Sequence, residues 1–175
     1  MTYPQEYIDF LVHFHGDRDY FECHEILEEY WKKVDSNNKN SVWVGLIQLA
    51  VANYHHRRGN FNGALRTLQK ALKIISSNEV LIQNLGLHPC SLLKQITARI
   101  TSIEKRNNYQ SMNLPIHSNL LLESCKSRSQ ELNMKWLIES DLTNIQIVHR
   151  HKERDRSTVI EERNKAKQQK TNRRQ

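Results

Sequence analysis

Glycine and proline are scarce in this 175-residue chain, at 5 and 3. That scarcity argues against a turn-rich β fold and for helices joined by short connections. Long apolar runs are also missing: none approaches the ~20 residues of a membrane-spanning helix, so no membrane association is expected. The three cysteines, Cys23, Cys90 and Cys125, are odd in number, widely spaced and without a C-x-x-C pair. They read as free thiols of a reducing compartment, and the cytoplasm is the expected location. Residues 1–6 contain neither the basic start nor the apolar run of a signal peptide.

Acidic residues do not balance the basic ones, but the imbalance is local. The formal charge is +7. Residues 1–107 carry 13 Lys/Arg and 11 Asp/Glu, a net of +2; residues 108–148 carry 3 and 4, a net of −1; residues 149–175 carry 10 and 4, a net of +6. The organisation that follows is a helical domain over 1–107, an irregular segment docked on it over 108–148, and a basic, solvated tail over 149–175. The tail offers nucleic acid an accessory contact at most, since no aromatic side chain interleaves its cations to stack on bases.

What the chain does contain is helical periodicity. Tyr7, Ile8, Phe10, Leu11 and Phe14 recur on one helix face after Pro4, and Gly16 ends the run. Asp19 is placed to cap a helix over residues 20–34, Ser41 one over 42–58, and Asn60 one over 61–75. A short helix over 80–85 and a longer one opened by Pro89 complete the series. The expected fold is all-α: a compact antiparallel bundle of about five helices with a less ordered C-terminal extension. Leu114-Pro115-Ile116 reads as extended, because proline disfavours helix in the residue before it.

The second helix carries the chemistry. At 100° per residue, Cys23, Leu27, Tyr30, Trp31 and Val34 share an apolar face, while Glu22, Glu25, Glu29, Lys32 and Lys33 point to water. His24 and Glu28 fall on the flank of the apolar face, four residues apart and hence neighbours. Half-buried, they need partners, because burying them unpaired costs several kcal/mol. A hydrogen-bonded seam between helices would serve, and so would a divalent metal or an acid/base pair. The pattern is short of a zinc-protease signature, which has a second histidine where Glu28 stands. In the third helix, nearly apolar all round, Gln48 and His55 lie seven apart on one stripe. Gly45 and Ala52 are small enough to let the second helix approach. The candidate cluster is therefore His24, Glu28, Gln48 and His55, with His24, Glu28 and His55 as the candidate metal ligands. The turn at Gly59 needs a left-handed cap, and Gly63-Ala64 offers a thin face for packing.

The run Tyr20 to Trp31 (YFECHEILEEYW), followed by Gly45-Leu46-Ile47-Gln48-Leu49-Ala50, Tyr54-His55 and the turn Gly59-Asn60…Gly63-Ala64, resembles the bacterial domain-of-unknown-function 309 proteins. The motifs match in order and spacing over about residues 3–75. The resemblance implies an all-α bundle and no established activity. Two functions follow as expectations. One is a non-catalytic binding or assembly module, with a homo-oligomer or a protein partner. The alternative is a metal-dependent or acid/base enzyme using His24, Glu28 and His55.

Overall fold

The structure is a computed structural model and describes residues 2–153. The helices are α1 (Gln5–His15), α2 (Tyr20–Val34), α3 (Val42–Arg57), α4 (Phe61–Ser76), α5 (Glu79–Asn84), α6 (Pro89–Glu104), α7 (Asn119–Glu131), α8 (Ile145–Val148) and α9 (Arg150–Glu153). Among the described residues there is no strand, only an isolated antiparallel bridge between Leu87 and Ile116. No described helix is long and apolar enough to cross a membrane. The fold is all-α, and its five long helices within 1–107 are α1, α2, α3, α4 and α6.

Local chemistry sets these boundaries. The Asp19 carboxylate accepts from the Glu22 N–H at the start of α2, and the Asn60 side chain accepts from the Gly63 N–H at the start of α4. Each such cap contributes roughly 1 kcal/mol. Ser41, expected to act likewise, makes no side-chain cap hydrogen bond. Gly59 adopts φ +72°, the left-handed turn that separates α3 from α4.

Packing runs in chain order: α1 on α2, α2 on α3, α3 on α4, then α4 on α6. Tyr7, Phe10, Leu11 and Phe14 of α1, Leu46 and Leu49 of α3, and Leu68 and Ile75 of α4 are fully buried. At about 1.5–3 kcal/mol for each large side chain, this interior is the main source of stability. The small residue at Gly45 serves α4 rather than α2. A Cβ there would lie 3.0 Å from Ile75 and 3.1 Å from Ile74, so α4 sets the contact. Gly63 makes room for its own cap instead of a neighbouring helix, since a Cβ would stand 2.5 Å from the Asn60 amide.

Residues 108–148 depart from the irregular segment expected of them. Ser118 caps α7 by accepting from the Leu121 N–H, and α7 then packs on α1. The helix was hidden because its only buried residues are Leu121, Cys125 and Ser129. Residues 114–116 are outside any helix: Ile116 N–H turns back to the Leu114 carbonyl, and His88 N–H donates to the Pro115 carbonyl. The tail is also corrected at its beginning. Arg150 pairs with Asp19 and with Glu22, the latter at 2.8 Å, so the chain there is held rather than solvated. The rest of the expected solvated tail, from 154 on, lies outside the described residues.

A buried polar seam joins these parts. Arg18, fully buried and with φ +58°, donates to the carbonyls of Phe14, Met112 and Ile138 and to the Asn113 side chain. Arg57 donates to the carbonyls of Arg18 and Ile147 and to the Ser140 hydroxyl. His15 donates from Nδ1 to the Leu11 carbonyl (2.8 Å) and accepts at Nε2 from the Leu114 N–H (2.9 Å).

Candidate functional site

Between α2, α3 and α4 a groove of about 530 Å³ opens to solvent. His24, Glu28 and Trp31 of α2 form one wall, and Gln48 and Val51 of α3 the floor. Arg66, Thr67 and Lys70 of α4 form the opposite wall, with Lys39 at the end. The 3.6-residue repeat explains the composition: the polar flank of α2 faces the polar flank of α4 across the apolar surface of α3. Trp31, placed on the apolar face by its angle, is only partly buried and lines this groove. Its indole N–H donates to the Asn38 carbonyl, 3.1 Å away.

His24 is engaged on both sides of its ring. Nδ1 lies 2.9 Å from a Glu25 oxygen and Nε2 3.2 Å from a Glu28 oxygen, while the other Glu28 oxygen meets Lys32 at 3.1 Å. Glu25 was expected in water; its flexible side chain instead folds back onto the neighbouring imidazole. His24, Glu25 and Glu28 offer donor atoms within 4.8 Å of one another.

His55 stands elsewhere. It lines a second cavity of about 420 Å³, on the other side of His24 and Val51, together with Phe21, Tyr54 and Arg58. The Asn60 amide donates to its Nδ1 at 3.0 Å. Burial, and then the cations Arg58 and Arg66, push the His55 pKa down. The structure therefore brings His24, Glu28 and Gln48 to one groove, pairs Glu25 with His24, and leaves His55 in the second cavity, which shares His24 and Val51 with the first.

Residues 7–67 match the family described as domain of unknown function (DUF309). An uncharacterised protein of Bacillus subtilis (strain 168), YpuF, is 44% identical over 163 residues, covering 93% of this chain and 94% of that protein. The chain belongs to the DUF309 family. No solved structure matches it.

The DUF309 stretch contains α1 to α3 and the first turns of α4, which is to say nearly every residue of the groove. The motif residues do not all act alike within it. Leu46, Leu49 and Ala50 are buried core, whereas Gln48, four residues from Ala52 on the same stripe, faces the groove. Sequence reasoning missed the basic wall, Arg66 and Lys70. Their charge was readable, but only the α3–α4 crossing aims it at His24 and Glu28.

Proposed function

We propose that this DUF309 protein is a non-catalytic binding module and that the groove between α2, α3 and α4 is its ligand site. The supporting observation is the state of His24, whose Nε2 faces Glu28 in the groove wall while its Nδ1 faces Glu25. An acid/base catalyst must present one nitrogen to its substrate. An imidazole held on both sides instead sets shape and charge. The groove joins this wall to a basic one across an apolar floor, which is the composition of a site that orients a small polar ligand.

The test is a ligand-observed and amide-observed NMR screen of small organic acids and amines on the full chain. Hits should shift the amides of residues lining the groove, and Thr67→Trp, which fills it, should abolish them while leaving the melting temperature unchanged. Hits that scatter over other surfaces, or that survive Thr67→Trp, overturn the reading.

A second reading, a divalent cation at His24 and Glu28, is favoured by one distance. Two ligands at ~2.0–2.2 Å from a metal stand roughly 3.0–3.5 Å apart, and Nε2 and the Glu28 oxygen are already 3.2 Å apart. Glu25 on Nδ1 supplies the outer carboxylate that orients such a ligand. Calorimetry with zinc and manganese on untagged protein should give one site that His24→Ala removes; heats equal to those of the variant dismiss the metal. The assembly form of the module, a homo-oligomer or a protein partner, is tested by sedimentation over a wide concentration range. A cytoplasmic location and an accessory nucleic-acid contact through residues 149–175 complete the proposal.

A further inference from the structure

The second cavity asks for a ligand of its own. Phe21, Val51 and Tyr54 give it an apolar lining, the two ring centroids standing 6.3 Å apart at an angle of 57°. A flat ring inserted beside them would take apolar surface out of water and gain tilted aromatic contacts.

Aromatic cavities often receive cations, held by the negative ring faces. This one is built against that guest. The Arg58 guanidinium already sits over Tyr54, 5.3 Å from its centroid. Arg58 is half-buried, and its Nε donates to His149 Nδ1 at 3.3 Å. Among the described residues, no carboxylate lies within ion-pair distance of it. The acids next to the lining residues of α2 are engaged with other groups: Asp19 and Glu22 with Arg150, Glu25 with His24, and Glu28 with His24 and Lys32. A second cation, Arg66, lies near enough to lower the pKa of His55 in the same lining. A half-buried cation with no counter-ion among the described residues, beside apolar rings, rejects a positive guest and favours a negative one. The far edge is His151, whose Nδ1 lies 2.5 Å from the Tyr54 hydroxyl and whose N–H donates to that same oxygen at 3.2 Å. That contact fixes the Tyr54 ring in place.

We propose that the Phe21–Tyr54 cavity binds an aromatic anion, its ring against Phe21 and Tyr54 and its negative charge on Arg58. The proposal is independent of the groove reading, and the groove-filling variant separates the two.

Two fluorescent probes of nearly equal shape test it on the full chain: the anionic 1-anilinonaphthalene-8-sulfonate and the neutral N-phenyl-1-naphthylamine. The anionic probe should saturate at one site and bind about tenfold tighter than the neutral one, as one charge contact at a partly screened site allows. Arg58→Ala, at a surface helix end, should erase that preference, and Arg58→Lys should restore part of it. Thr67→Trp should leave both titrations unchanged. The proposal is overturned if the anionic probe does not saturate, if Arg58→Ala leaves its affinity unaltered, or if Thr67→Trp abolishes binding and so places the probe in the groove.

Discussion

Two polar layers cross this bundle and satisfy their charges in opposite ways. Around His15, Arg18 and Arg57 the side chains are buried and the partners are almost all backbone groups. Around His24, Glu25 and Glu28 they are half-exposed and the partners are other ionisable side chains. A buried donor facing a carbonyl cannot exchange that partner for a ligand without leaving the carbonyl orphaned, which costs about 1–3 kcal/mol. A half-exposed ion pair can, because water and the other charge share the work. The first layer is therefore architecture, and the second is where a ligand can enter.

Breaking the buried layer should have the largest effect. Arg18→Met removes donors to three carbonyls and one amide oxygen, and a loss of about 3–5 kcal/mol is expected in urea unfolding. A loss under 1 kcal/mol would erase the distinction between the layers.

Acid should strain the same layer by a smaller, graded amount. Burial holds the His15 pKa down at about 4, against an ordinary 6.5. Protonation thus favours the unfolded chain. The stabilisation is complete above pH 6.5 and falls as pH drops towards 4, by about 1.4 kcal/mol per unit at the steepest. His55 and His56 shift the same way and His13 the opposite way. The difference between wild type and His15→Gln across pH 4–7 therefore isolates His15. Parallel curves would show that the His15 ring is not buried as described.

The groove layer should respond least in stability. With His24 and Glu28 side chains 28% and 33% exposed, the double variant His24→Ala/Glu28→Gln should cost under about 1 kcal/mol. It should nonetheless change which small molecules the groove binds. A large loss of stability would move this layer into the architecture as well.

How much of this was legible in sequence follows from where each partner comes from. The helices were readable because Tyr7, Phe10, Leu11 and Phe14 repeat with the helical period. So was the edge position of His24 and Glu28, which depends on one helix alone. Glu25 was misplaced because angular position describes a Cβ direction, while a glutamate is long enough to return to its neighbour. The partner of Gly45 was assigned to the wrong helix, since a small residue announces a close approach but not by what. Arg18 and His15 could not be singled out at all. Apart from the local carbonyls of Leu11 and Phe14, their partners lie about a hundred residues away and are mostly backbone groups, and a carbonyl leaves no signature in the side-chain text.

That last property has a consequence for how the family can vary. Arg18, Arg57 and His15 grip the main chain at Met112, Leu114, Ile138 and Ile147, whatever side chains stand there. Most substitutions at these four positions leave the grip in place, whereas inserting or deleting a residue between two of them moves the backbone groups beyond the change out of register. The spacing between these four positions is thus more tightly constrained than the side chains they carry.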